Sequence, residues 1–131
     1  LNIPQYQWGN EGLHGVANSF GVNWNGPINH ATMFPMPIGT SSSFNNKLFY
    51  QIGDVISTEA RAMFNNNQCG LSFWAPNINI YRDPRWGRGQ ESMFCIICIE
   101  IGTNFVHNIM YIQSTISLKS YTNILTTTGT L

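Results

Sequence analysis

The stretch FWAPNINIYRDPRWGRGQE, residues 73–91, changes character partway along. Its first part is aromatic and apolar and, with Leu71 and Ser72 before it, reads as one or two strands, with Ile78 and Ile80 on one face. Its second part, RDPRWGRGQE, is a loop dense in arginine, glycine and carboxylate. A strand that runs into such a loop belongs to the grammar of α/β folds. In those folds, functional groups gather on loops at the C-terminal ends of strands.

Upstream lies the clearest helix in the chain. FNNKLFYQIGDVISTEARAMFNNNQCG, residues 44–70, places Leu48, Ile52, Val55, Ile56 and Met63 close to helical period. Asn45 or Asn46 is suited to cap its start, and the run Asn65–Asn67 with Gly70 to end it. Glu59 and Arg61 are expected to pair with other elements, because positions two apart on a helix do not face each other. Residues 1–30 read as loop, rich in Gly, Asn and Pro. ATMFPMPIG, residues 31–39, reads as a buried strand or as extended chain at a rim.

Downstream the composition shifts abruptly. Residues 92–131 contain eight Ile, many Thr and Ser, two charged residues (Glu100 and Lys119), and neither Pro nor Trp. We assign no element there and treat 92–131 as a divergent tail.

The whole chain has 131 residues, 43% apolar and 13% aromatic, enough for one modest core. Only 9% are charged, against about 25% in a typical soluble domain. Six basic and six acidic residues cancel. A neutral chain without a basic run lacks the electrostatic footprint for nucleic acid, and it has no polybasic segment for an anionic membrane. No apolar run is long enough to span a bilayer. The N-terminus lacks the basic and apolar regions of a signal peptide, and its abrupt opening leads us to expect sequence upstream. Cys69, Cys95 and Cys98 are an odd count and no disulfide framework. Cys95 and Cys98 form a CxxC without a second pair, and His107 lies outside finger spacing, so no metal site is expected.

Two clusters carry chemistry. In the loop, Arg82, Arg85 and Arg88 stand beside Asp83, Trp86 and Glu91. A guanidinium presents donors in a rigid fork, and an indole presents a flat apolar face. Together with a carboxylate they suit a sugar, which needs directional bonds to its hydroxyls and contact with its C–H faces. For Asp83, Arg82 and Arg85 the better reading is structural, with Asp83 pairing an arginine and Pro84 setting the turn. For Arg88, between Gly87 and Gly89, the better reading is ligand contact. The second cluster is WGNEGLHG, residues 8–15, with Trp8, Asn10, Glu11 and His14. No nucleophile accompanies His14, so a packing or supporting role suits it better than that of general base.

Three segments together now point to a family. LNIPQYQWGNEGLHGVA (1–17), FPMPIGTSSSFNNKLFYQIGDVISTEARAMFN (34–65) and GLSFWAPNINIYRDPRWGRGQE (70–91) strongly resemble the N-terminal domain of glycoside hydrolase family 3, in its β-xylosidase branch, with β-glucosidases more distant. The resemblance runs from Leu1 to Glu91. It implies a (β/α)-barrel of the TIM type, here partial and truncated, as residues 1–91, followed by the tail. It implies retaining hydrolysis of β-linked glycosides or oligosaccharides by a nucleophile and a general acid/base about 5–5.5 Å apart, with no metal or organic cofactor. By the same resemblance, Glu11 holds hydroxyls of the nonreducing-end sugar and Arg88 grips that sugar. Glu91 matches a family acidic position that supports them, and Trp86 and His14, read from their own clusters, are given supporting roles as well. A Glu where many glucosidases have Asp reaches into the space a pentose leaves empty, which favours xylose or arabinose. Secretion is implied by the family alone. No catalytic residue is assigned in this chain, because the segments that carry the nucleophile and the acid/base are absent and the family gives Glu11 and Glu91 to binding. The alternatives are a non-catalytic sugar-binding remnant and a non-functional truncated product.

Overall fold

The computed structural model describes residues 3, 6–77, 79 and 81–92. The expectations for Ile78 and Ile80, for Cys95 and Cys98, and for the tail beyond Ser92 lie outside the described residues.

The elements run β1 (Asn10–Glu11), α1 (Pro37–Ser41), α2 (Asn46–Asn65) and β2 (Phe73–Trp74), followed by a 3-10 turn at Gly89–Glu91. β1 and β2 pair in parallel, Asn10 opposite Phe73 and Glu11 opposite Trp74. Parallel neighbours need a crossover, usually a helix, and α2 lies within this one. The unit is therefore β–α–β, in accord with the α/β class. A further parallel bridge joins Asn77 to Ser92.

α2 forms where its period and caps direct it. The side chain of Asn45 accepts from the backbone N–H of Leu48 at 3.1 Å, filling one of the free donors of the first turn. At the other end Asn67 takes a left-handed φ of 56°. Its N–H donates to Phe64 O, and that of Gln68 donates to Met63 O, both at 2.9 Å. These two bonds are the Schellman pair that closes a helix. Gly70, expected to help end the helix, does something else. A Cβ there would stand 2.7 Å from Gln7 O and 2.9 Å from Asn10 Nδ2, so its lack of a side chain lets two segments approach.

The core is one face of α2 (Phe49, Ile52, Ile56, Ala60 and Met63) closed by Val16. Spacings of three and four put these residues on a single stripe. Val55, expected on that stripe, is 36% exposed, whereas Phe49 takes a buried place. Partly buried Trp24, Ile28, Phe34 and Phe73 cover the stripe. The segment 31–36 is partly exposed and forms no strand, so the buried strand expected there is absent. Pro37 then opens α1, a position where its missing N–H costs nothing.

Polar side chains tie the long first loop to this core. Gln68 is 3% exposed. Its Nε2 donates to Asn23 O and Ile28 O, each at 2.7 Å, and its Oε1 accepts from Ile28 N at 3.1 Å. Glu59 accepts from Thr32 N through both oxygens and from Thr32 Oγ1. It thus pairs with another element, as its position on the helix suggested. Arg61 instead lies over the Phe64 ring at 5.6 Å, and burial pushes its guanidinium pKa down.

Replacing Gln68 with alanine leaves the Asn23 and Ile28 backbone groups without partners. We expect a loss of about 2–4 kcal/mol, since a buried unpaired polar group costs about 1–3 kcal/mol. Equilibrium urea unfolding checks this, and an unchanged midpoint contradicts it.

Candidate functional site

Glu11 ends β1, at the C-terminal edge where α/β folds place their chemistry. Its backbone is pinned on both sides. The Glu11 N–H donates to Ser19 Oγ at 3.2 Å, and Glu11 O accepts from Ala17 N at 3.0 Å. Asn10, one residue earlier, is fully buried. Its Nδ2 donates to Ser72 O at 2.8 Å and to Gln7 O at 3.3 Å, while its Oδ1 accepts from Gly70 N at 3.3 Å. That carboxamide ties β1 to the chain entering β2. The Glu11 carboxylate itself is exposed and has no hydrogen-bond partner among the described residues.

Arg88 lies on the loop after β2, near enough for the charge of Glu11 to bear on it. Its Nε and Nη2 donate to one oxygen of Glu91, Oε2, at 2.9 and 2.8 Å. The Arg88 side chain stays 59% exposed, that of Glu91 only 21%. The Glu91 hydrogen bond and then its charge raise the guanidinium pKa; desolvation opposes them, and the charge of Glu11 adds the smallest upward push. Arg88 is therefore permanently cationic and felt by both carboxylates. Two of its five donors are spent on Glu91, and the others remain for a ligand.

The glycines flanking Arg88 differ in use. A Cβ at Gly89 would overlap the Tyr81 ring, so that glycine admits Tyr81 rather than a ligand. Gly87 faces open space. The 3-10 turn that carries Glu91 packs against α1 and donates Ser92 N to Gly89 O.

The other loop residues sort as follows. Asp83 turns the chain: its Oδ1 accepts from Arg85 N and Nε, and its Oδ2 from Arg85 Nη2 at 2.7 Å. The structural pairing expected of Asp83 is present, with Arg85 as its partner. Trp86 is 37% exposed and borders a cleft of about 290 Å³ with Asn79, Arg82 and Asp83. His14 lies away from solvent-facing chemistry. Its Nδ1 donates to Phe34 O at 2.7 Å, a carbonyl being able only to accept, and its backbone O accepts from Phe34 N. The ring borders a small apolar cavity with Pro35, Phe49 and Pro76. Among the described residues no cluster of His, Cys, Asp or Glu is placed to hold a metal, and no helix is long and apolar enough to cross a membrane. Burial pushes the Cys69 thiol up to about 11, so it is a neutral thiol near pH 7.

Sequence reasoning missed two residues at this end of the strands. Ser19, which receives the Glu11 N–H, has no motif to mark it. Trp74 stands in register beside Glu11 and is 60% exposed. Its signal is visible only once the strand register is known.

An unpaired carboxylate at a strand end and a charged fork that feels its charge suit polyhydroxyl recognition. The sequence model described as "Glycosyl hydrolase family 3 N terminal domain" matches residues 9–109. The chain belongs to glycosyl hydrolase family 3. Among its family 3 relatives, "Probable beta-D-xylosidase 6" of Arabidopsis thaliana is 57% identical over 93 residues, 70% of this chain and 12% of that protein. "Beta-xylosidase/alpha-L-arabinofuranosidase 2" of Medicago sativa subsp. varia is 58% identical over the same shares. "Probable exo-1,4-beta-xylosidase bxlB" of Aspergillus flavus is 53% identical over 94 residues, again 70% and 12%. The chain thus spans about 12% of the length of the curated relatives it matches. The family match continues past Glu91 into the segment whose composition shifts.

The Asp83–Arg85 link gives this family 3 segment a pH signature. Its hydrogen bonds hold the Asp83 carboxyl below the usual carboxylate range. A depressed folded pKa means that the link contributes above the unfolded value, about 3.9, and is lost as pH falls through the lower folded value. In a carbon-detected NMR titration, Asp83 should protonate below that ordinary value, and Arg85→Gln should move it upward. A midpoint that ignores the substitution contradicts the pairing.

Proposed function

We propose that these residues are part of a longer polypeptide, a retaining, exo-acting glycosidase that removes nonreducing-end β-xylosyl units, with β-glucosyl units as the related possibility. The observation that carries this reading is the unpaired Glu11 carboxylate at the C-terminal end of β1, with its charge felt by the Arg88 guanidinium, which keeps donors beyond its two bonds to Glu91. A sugar hydroxyl donates to the first and accepts from the second. Glu91 orients Arg88 and neutralises part of its charge. Trp86 and His14 support the loops around them. In this reading residues 1–91 are a piece of a TIM-type barrel and 92–131 a divergent tail. The enzyme acts outside the cell on β-linked oligosaccharides. It needs no metal or organic cofactor.

The relatives' names support the substrate class. The preference for a pentose rests on the length of Glu11, which extends further than an aspartate toward the place of a hexose's hydroxymethyl group. The chemistry also needs a nucleophile and a general acid/base about 5–5.5 Å apart. Glu91 is committed to Arg88 through the oxygen that takes both bonds. We assign the reacting carboxyls to other parts of the parent polypeptide.

Two outcomes follow for activity. The 131-residue chain alone should release no phenol from an aryl β-xyloside above the blank, and robust turnover contradicts this assignment. In the parent polypeptide, Arg88→Ala should lower kcat/KM for that substrate by about 10- to 100-fold, the weight of a charged hydrogen bond of about 1.5–3 kcal/mol. Unchanged kcat/KM contradicts a role in grip.

A further inference from the structure

We infer that Trp74 is a specificity-determining residue, the wall beside Glu11 that favours a sugar ring without an exocyclic hydroxymethyl group. The inference rests on the glycosidase reading above and names what part of the substrate the strand end selects.

Trp74 is the last residue of β2, and its register partner is Glu11, the last residue of β1. Paired residues on neighbouring parallel strands emerge on the same face, with the strands about 4.8 Å apart. The backbone tightens this pairing further, because Gly12 N donates to Trp74 O at 3.0 Å. An indole and a free carboxylate therefore rise side by side at this edge. The indole is 60% exposed, and among the described residues no ring packs on it. Trp8 differs, since it meets Tyr6 edge to face at 4.6 Å.

A large, rigid, exposed aromatic group beside an unpaired acceptor has a specific use with sugars. Its face offers apolar contact to ring C–H bonds while the carboxylate takes the hydroxyls. Its bulk also limits the space next to those hydroxyls. A xylopyranosyl ring carries only hydrogens on C5, whereas a glucopyranosyl ring carries a hydroxymethyl group there. Trp74 thus adds contact for the first and crowding for the second. Glu11 and Trp74 act as one device built by strand register.

The test compares aryl β-xyloside and aryl β-glucoside with the parent polypeptide, as wild type, Trp74→Ala and Trp74→Phe. Trp74→Ala should lower kcat/KM for the xyloside about 10-fold, and lower it less or raise it for the glucoside, so that the ratio of the two shrinks. Trp74→Phe, which keeps a flat ring, should retain most of the preference. A purely structural role would lower both substrates alike in Trp74→Ala, and that result overturns this inference while leaving the glycosidase reading intact. A wild type that turns over neither glycoside overturns both.

Discussion

A single buried carboxamide holds the candidate site in register. Asn10 bonds at once to Ser72 O, Gln7 O and Gly70 N. β1 and β2 are two residues each, too short for their own ladder to fix a pairing. A slip of one residue would turn the side chains of a strand to the other face. Glu11 would then point inward and Asn10 outward. The carboxamide blocks that slip because its donors and acceptor fit only this alignment. The glycines around it have the same logic. A Cβ at Gly21 would overlap Asn10 Oδ1, and one at Gly70 would crowd Asn10 Nδ2.

The second constraint is electrostatic. Arg88 lies on a loop whose turns are closed by short-range bonds: Trp86 N to Asp83 O, Gly89 N to Trp86 O and Glu91 N to Arg88 O, each at 3.0 Å. Those turns aim the guanidinium, and Glu91 locks it. An exposed ion pair by itself stabilises little. Its value here is orientation, because a fork with two bonds to one carboxylate oxygen cannot rotate freely. The remaining donors of Arg88 have no partner among the described residues, and neither does the Glu11 carboxylate whose charge it feels. Stability and recognition thus use different carboxylates: Asp83 and Glu91 are committed to arginines, and Glu11 is not.

Much of this was legible in the sequence, for identifiable reasons. α2 declares itself through its apolar period and through Asn45, whose capping needs only a residue three positions on. The pairing of Asp83 with an arginine is equally local. Glu11 and Arg88 are marked by the family resemblance, which the comparisons support as to family and β-xylosidase kinship; their roles as sugar contacts remain part of the proposal. What was not legible depends on distant partners. Gln68 looks like an ordinary loop amide, and Asn10 like one member of a polar cluster, until the segments 40 and 62 residues away are in place. β1 has no alternation to reveal it, because Gly9 and Gly12 flank a two-residue strand. Gly89 was read as room for a ligand, and the space belongs to Tyr81. Trp74 acquires meaning only from its register with Glu11.

The central claim is that Glu11 and Arg88 act on the same sugar. A double-mutant cycle in the parent polypeptide measures this most directly, with Glu11→Gln, Arg88→Gln and the pair, read as kcat/KM on an aryl β-xyloside. Residues that share a ligand should be coupled, with an interaction free energy of about 0.5–3 kcal/mol. Losses that simply add, within about 0.3–0.5 kcal/mol, would mean that the two side chains act independently and would contradict the account.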